Sequence, residues 1–73
     1  MSTGQTITLG ERLKQARKDK KWSRDELAFR SRVSPRQIAR WESDLHSPRL
    51  DGLTRIAAAL EIDVAALLGE DAA

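Results

Sequence analysis

A chain of 73 residues without cysteine has room for one small domain, and neither disulfides nor thiolate metal sites can hold it together. A small domain without such links favours a reducing compartment, so we expect a cytoplasmic protein. The longest apolar runs, 56–60 and 64–68, hold five residues each, whereas a bilayer span needs roughly 20. The start of the chain has no basic stretch followed by an apolar one, so we expect neither a secretory signal nor contact with a membrane.

The charges are distributed unevenly along the chain. Residues 1–40 contain eleven Lys and Arg against four acids, a net charge of +7, whereas residues 41–73 contain two Arg against seven acids, a net charge of −5. One half therefore carries a positive field that suits a polyanion, and the other half suits a protein partner. A solvated surface with uneven charges is the alternative that charge alone leaves open.

Three segments that begin with a hydroxyl residue predict the starts of three helices. Thr8-Leu9-Gly10-Glu11 fits a capping box, in which a side-chain oxygen and a carboxylate three residues later satisfy free backbone N–H groups, and it predicts a helix over 9–20. Ser23-Arg24-Asp25-Glu26 has the same pattern and predicts a helix over 24–31. Ser34-Pro35-Arg36-Gln37 adds proline at the first helical position, where no N–H is needed, and predicts a helix over 35–42. The second and third helices are so close in sequence that they must form a tight corner.

Two further helices complete the predicted all-α fold. Ser47-Pro48 marks a break, after which 50–60 reads as a helix with its apolar residues on one face. Asp63 is a candidate cap for a last helix over 64–68, which Gly69 would close. No β-branched residues alternate with polar ones, so no strand is predicted. We predict a compact five-helix domain over 9–69, a flexible N-terminal segment over 1–8 and a C-terminal tail over 70–73.

The apolar residues of these helices are enough for one shared core. The predicted core consists of Leu9, Leu13, Ala16, Leu27, Ala28, Val33, Ile38, Trp41, Leu53, Ile56, Leu60, Ile62 and Leu67.

Between Leu9 and Leu68 the chain carries a series of short motifs in a fixed order. They are Gly10-Glu11-Arg12-Leu13-Lys14 with Arg17, Trp22-Ser23, Asp25-Glu26-Leu27-Ala28, Val33-Ser34, Ile38, Arg40-Trp41-Glu42, Pro48, Leu53, Ile56-Ala57, Ala59-Leu60 and Leu67-Leu68. In this order and spacing the chain resembles the lambda-repressor-like helix-turn-helix family, the phage repressor, Cro or XRE type. The resemblance covers about 60 of the 73 residues. It implies that the second helix crosses the DNA backbone and that the third helix enters the major groove.

The resemblance also implies two sets of residues that contact double-stranded DNA. The bases would be met by the third helix, through Pro35, Arg36, Gln37, Ala39 and Arg40. The phosphates would be met from the start of the second helix, the start of the third and the loop after it, through Arg24, Ser34, Ser43, His46, Ser47 and Arg49. Arg32 at the corner departs from the family pattern, and we expect its side chain to contact a phosphate as well.

Physical chemistry supports Arg36 and Arg40 as base-contacting residues independently of the resemblance. They are four residues apart, so they project from the same side of a helix. Arginine can pair with O6 and N7 of guanine, a contact worth about 1–3 kcal/mol of discrimination. Phosphate contact or plain solvation is the alternative for both. Gln37 either reads adenine or bonds back to Ser34 as a capping side chain.

Several prominent side chains are expected to be structural. The family pattern places Trp41 on the inner face of the third helix, and Trp22 is expected to pack where the first helix turns into the second. Glu42 is similar to a family acid that pairs with the arginine matching Arg17, which would tie the first helix to the end of the third. His46, the one histidine of the chain, is expected to be exposed and non-catalytic.

Three residues depart from the family pattern. Arg32 occupies the corner where glycine is usual because φ is often positive there, so either the corner is built differently or Arg32 accepts strain. Asp44 replaces the usual glycine after the third helix and can adopt the required turn. Phe29 stands where a polar surface residue is expected, and it either packs locally or contacts a partner.

The sequence therefore predicts a DNA-binding transcriptional regulator, more specifically a repressor. One helix reads only a few base pairs, so we expect a homodimer on a pseudo-palindromic operator with half-sites about 10 base pairs apart. Val64, Leu67 and Leu68 of the last helix are the predicted dimer contact. No cofactor, metal or small-molecule ligand is expected.

Other functions remain open at this point. A restriction–modification controller, or an antitoxin that binds a toxin through Phe29 or the last helix, has the same general pattern, and polymerase is another possible protein partner. A protein-interaction adaptor that does not read DNA belongs to a different class, and Arg36 and Arg40 argue against it. The sequence has no arrangement of nucleophile and base and no phosphate-binding loop, so we expect no enzyme activity.

Overall fold

In a computed structural model, the described residues 7–69 form five α-helices and no strand. The helices are α1 (Leu9–Asp19), α2 (Arg24–Ser31), α3 (Pro35–Glu42), α4 (Leu50–Leu60) and α5 (Val64–Leu68). The predicted all-α fold is confirmed, and the predicted bounds differ only at the end of α1, where Lys20 is the C-cap residue. Most of the predicted N-terminal segment and the whole predicted tail lie outside the described residues.

Local capping explains where the first three helices begin. At α1 both halves of the capping box form, because Thr8 Oγ1 accepts from the Glu11 N–H at 3.1 Å and the Thr8 N–H donates to Glu11 Oε1 at 3.2 Å. Ser23 and Ser34 accept in the same way at α2 and α3. The side chain of Asp63 makes no capping hydrogen bond at α5, so the prediction of a side-chain cap is wrong there, although Gly69 ends the helix at φ 76° as expected.

All thirteen predicted core residues lie in the core or pack against it. The buried core consists of Leu13, Leu27, Val33, Ile38, Trp41, Leu53, Ile56, Ala57, Leu60 and Leu67. Trp41 is buried as predicted. Trp22 is only half-buried at the edge of the core, and the Arg30 guanidinium lies 4.5 Å from the centroid of its ring.

Two glycines allow α1 and α4 to approach α3 closely. A Cβ on Gly10 of α1 would lie 2.5 Å from the Trp41 carbonyl oxygen and 2.6 Å from that of Glu42. A Cβ on Gly52 of α4 would lie 2.6 Å from Cη2 of the Trp41 indole. The end of α3 is therefore held between the first turns of two other helices, and this contact determines which of its faces remains outside.

The corner between α2 and α3 is built with a left-handed residue, which the sequence left undecided. Arg32 has φ 63° and ψ 31°, and its N–H donates to the Ala28 carbonyl oxygen at 2.8 Å. A non-glycine residue in this conformation costs roughly 1–2 kcal/mol. Asp44 adopts the left-handed turn as predicted, with φ 61°.

Replacing Gly52 with alanine tests the contact between α4 and Trp41. Alanine ordinarily stabilises a helix by about 1 kcal/mol relative to glycine. Here the added methyl group meets a buried ring, so we expect the free energy of unfolding to fall by about 1–3 kcal/mol in urea titrations. The exposed Thr54→Ala on the same helix is the control and should change stability by less than about 0.5 kcal/mol. A stabilised Gly52→Ala protein would contradict the close approach.

Candidate nucleic-acid interface

The position of α3 divides its residues between the core and the surface. Ile38, Trp41 and Glu42 point inward and are buried. The five residues predicted to contact bases lie on the opposite side, where Pro35, Arg36 and Gln37 are exposed and Ala39 and Arg40 are half-buried. The structure thus brings all five onto one outer surface.

A groove runs between this surface and α4, and we call it the α3–α4 groove. Gln37 and Arg40 of α3 line it together with five of the seven residues predicted to contact phosphates, namely Arg32, Ser34, His46, Ser47 and Arg49. Val33, Trp41, Pro48, Asp51, Gly52 and Arg55 complete its lining. Ser43 is exposed at the end of α3 but does not line the groove.

Arg24, the remaining predicted phosphate contact, lies in a separate shallow cleft. This cleft is formed where the starts of α2 and α3 come together, and it is lined by Arg17, Ser23, Arg24, Asp25 and Pro35. Six of the seven predicted phosphate contacts therefore fall into two groups, one in the cleft at the start of α2 and one in the α3–α4 groove, and Ser43 lies in neither.

Glu42 at the end of α3 holds arginines from two other helices. Its side chain is 1% exposed, and Oε2 accepts from Arg17 Nε at 2.6 Å. Oε1 accepts from Arg17 Nη2 at 3.1 Å and from Arg24 Nε at 3.0 Å. One carboxylate thus pairs with two guanidinium groups, which leaves one positive charge in excess. The more exposed of the two is Arg24, whose side chain is 46% exposed. The sequence predicted the Arg17 pair, but it did not predict the bond to Arg24.

Asp44 links the loop after α3 to the start of α1. Its Oδ1 accepts from the Gly10 N–H at 3.0 Å, and its Oδ2 accepts from Thr8 Oγ1 at 2.7 Å. These bonds satisfy a free N–H at the start of α1 from outside that helix. The departure from glycine at this position was visible in the sequence, but the structural role of the carboxylate was not.

Arg55 is a groove residue that the sequence analysis missed. It lies on α4 and reaches the α3–α4 groove, where it joins three arginines that the sequence had singled out. Arg55 Nη2 lies 3.6 Å from Asp51 Oδ2, one turn earlier on the same helix. The available signal was the spacing of Pro48, Arg49 and Arg55, which places Arg55 on the second turn of the helix that follows the loop.

The predicted dimer residues do not share one environment. Leu67 is 1% exposed and belongs to the core, so its assignment to a dimer surface is wrong, because α5 needs this side chain to close against α1 and α4. Val64 is half-buried, and Leu68 is 41% exposed. Phe29 is 82% exposed and does not pack locally.

The described residues also bear on membranes and metals. Each helix that the structure describes is too short or too polar to span a bilayer. Between residues 7 and 69, no group of three or more His, Asp or Glu side chains is placed to hold a metal ion.

Replacing Arg17 with alanine should strongly destabilise the protein. The substitution removes two of the three donors that satisfy a buried carboxylate, and breaking a buried pair in this way costs about 3–5 kcal/mol. We expect a loss at the lower end of this range in chemical denaturation, because Arg24 remains bonded to Glu42. Arg24→Ala is the matched control and should cost less than about 1 kcal/mol, because Arg24 is half-exposed. Equal stabilities for the Arg17→Ala protein and the parent would rule out this role.

Comparisons with known proteins agree with the five-helix fold described above. The helix-turn-helix family matches residues 13–67. The immunity repressor protein of Bacillus phage phi105 is 37% identical over 65 residues, which are 89% of this chain and 45% of that protein. The chain therefore spans less than half the length of this curated relative.

Two solved structures have a similar fold. The P22 c2 repressor in complex with a synthetic operator matches with a TM-score of 0.84 and 30% identity, over 90% of this chain and 100% of that one. A chain of the SinR protein/SinI protein complex matches with a TM-score of 0.82 and 33% identity, over 89% of this chain and 64% of that one. Family match, sequence relative and structural relatives agree, and this chain belongs to the lambda-repressor-like, XRE-type helix-turn-helix family.

Proposed function

We propose that this protein is a transcriptional repressor that binds double-stranded DNA in a sequence-specific manner, with α3 as the recognition helix in the major groove. The observation that carries the proposal is the outer surface of α3, where Arg36 and Arg40 stand beside a groove lined by further arginines. The P22 c2 repressor, which has the same fold, is described in complex with an operator. We place its action in the cytoplasm of a bacterium.

Base recognition would depend mainly on Arg36 and Arg40. Within residues 7–69 neither guanidinium makes an ion pair with a carboxylate, so both are available to a ligand. Each can donate two parallel hydrogen bonds to O6 and N7 of a guanine. Gln37, Pro35 and Ala39 would contact neighbouring bases. The Gln37 side chain takes no part in the capping of α3, because the backbone N–H of Gln37 is the group that bonds to Ser34.

Phosphate contacts would supply most of the affinity and a steep dependence on salt. In the α3–α4 groove they would come from the residues at the corner and in the loop after α3. At the other site Arg24 would contact a phosphate with the part of its guanidinium that Glu42 leaves free, near the N–H groups at the start of α2. The buried carboxylate would then hold Arg24 in position before DNA arrives, which lowers the entropic cost of the contact.

We propose that the protein binds its operator as a homodimer through α5. Two copies double the number of base pairs that are read, which a domain of this size needs for discrimination within a genome. With Leu67 buried, Leu68 and the exposed part of Val64 remain of the predicted dimer contact, and the exposed Ala65 adds to the apolar surface of α5. A two-fold dimer predicts half-sites about 10 base pairs apart.

Selection from a random duplex library at near-physiological salt tests the proposed function. We expect a pseudo-palindromic motif that contains guanines in each half-site. Arg36→Ala and Arg40→Ala should each relax one position in each half-site and weaken binding about 5- to 150-fold per half-site. Lys18→Ala removes one positive charge from the exposed surface of α1 and should leave the motif unchanged. If no motif is enriched, the protein does not read DNA, and a protein-interaction adaptor becomes the better description.

The dimer surface is tested separately by sedimentation equilibrium at micromolar concentration. Leu68→Glu places a charge on the α5 surface and should convert the dimer to a monomer with weaker operator binding. Phe29→Glu places the same charge on an exposed residue of α2 and should leave the dimer intact. A parent protein that is monomeric both alone and on the operator would contradict the proposed dimer, whereas loss of the dimer only with Phe29→Glu would move the contact to α2.

A further inference from the structure

The α3–α4 groove has a strong excess of positive over negative side chains. Four arginines line it, namely Arg32 from the corner, Arg40 from α3, Arg49 before α4 and Arg55 from α4. Among residues 7–69, the single carboxylate of its lining is that of Asp51. These four arginines come from four separate parts of the chain, so the excess of positive charge is produced by the fold and not by a basic run in the sequence.

Arg55 stands where two basic surfaces meet. Besides the α3–α4 groove, it lines a second depression together with Arg30, Ser31 and Arg32, between the end of α2 and the middle of α4. Arg32 and Arg55 are the two residues common to both depressions. A basic track therefore leads from Arg40 and Arg49 across this pair towards Arg30, whose own guanidinium is paired with Glu26 Oε2 at 2.6 Å.

The guanidinium groups of Arg32 and Arg55 are both open to an anion. Within residues 7–69 the Arg32 side chain makes no hydrogen bond or ion pair, although its backbone occupies a left-handed conformation that glycine would adopt at less cost. Arg55 pairs with Asp51 at 3.6 Å, and the two side chains are 53% and 77% exposed. A pair this long and this exposed is weak, so a phosphate can replace it.

We propose that Arg55 and Arg32 together bind a backbone phosphate of the operator on the α4 side of the recognition helix, and that Asp51 competes with this phosphate for Arg55. The proposal rests on the proposed function, because Gln37 and Arg40 line the same groove and would bring the DNA to it. An acidic protein segment could also be attracted to four arginines. DNA is favoured because the groove is continuous with the surface that carries the base-contacting side chains.

Arg55 and Arg32 then influence how strongly the protein binds DNA, but not which sequence it selects. Arg55 and Arg32 would contribute to affinity and to salt dependence but not to the motif, since phosphate contacts carry no direct sequence information. Asp51 would weaken binding, because it must release Arg55 before the phosphate can be bound. A single carboxylate one helical turn away would thus lower the affinity of the repressor for all of its operators by the same factor.

The test uses the full chain and the operator selected above, with affinities measured between 50 mM and 200 mM salt by fluorescence anisotropy. Arg55→Ala and Arg32→Gly should each lower the slope of log K against log salt by up to about 0.9 per protomer, since the two arginines share one phosphate, and should weaken binding several-fold at the lower salt concentration. Neither should change the selected motif. Arg32→Gly should also raise the melting temperature, which separates the loss of binding from any loss of folded protein.

Two further variants make the test specific. Asp51→Asn should strengthen operator binding several-fold, and this gain should disappear in the Asp51→Asn, Arg55→Ala double variant. Lys18→Ala, which removes the same charge from the α1 surface beside α5, should leave the salt slope close to that of the parent. Operators with single neutral methylphosphonates should reveal one phosphate whose replacement weakens the parent more than it weakens Arg55→Ala, in which Arg32 alone contacts that phosphate.

The possible outcomes separate the two proposals. A parent protein without a selected motif would overturn the proposed function itself. A parent that binds its motif, with Arg55→Ala indistinguishable from Lys18→Ala in salt slope, would leave that function intact and overturn the phosphate site. The competition by Asp51 is likewise overturned if Asp51→Asn has no effect on operator binding.

Discussion

Three helices meet at the buried carboxylate of Glu42, which lies at the end of α3. Arg17 from α1 donates two hydrogen bonds to it and Arg24 from α2 donates a third. A carboxylate that is removed from water must be paired, and here its pairing requires α1, α2 and α3 to keep one relative arrangement. The same bonds leave the start of α2 and the outer surface of α3 side by side, with one half-exposed arginine between them. The proposed DNA-binding surface thus depends on an ion pair that is almost entirely hidden from solvent.

The close contacts around the end of α3 support the same arrangement. Gly10 and Gly52 let α1 and α4 approach the backbone and indole of Trp41, and Asp44 bonds the following loop to the start of α1. Because the inner face of α3 is fully occupied, its polar outer face remains exposed. The approach of α4 also brings Arg55 into the groove that Arg40 lines, which joins the outer surface of α3 to a basic track that extends beyond it.

The sequence did not separate the inner from the outer face of α5. Leu67 was assigned both to the core and, with the adjacent Leu68, to the dimer surface, yet only Leu68 is exposed and Leu67 lies in the core. A helix of five residues is too short for its periodicity to separate an inner from an outer face. Arg55 was missed for a related reason: its neighbours in the groove come from residues far away in the sequence, so its position on α4 alone did not reveal them.

The sequence by itself determined the helices, most of the core and the family. Hydroxyl caps, a proline at the first position of α3 and a closing glycine are local signals, and they act through hydrogen bonds within a few residues, so the helix bounds could be predicted almost without error. Only the tertiary structure decided that Arg24 shares Glu42 with Arg17, that Asp44 bonds to the start of α1, and that Arg32 and Arg55 line the same two depressions. Each of these contacts joins segments that are 18 or more residues apart. Such contacts follow from the packing of whole helices, and no local pattern of residues specifies them.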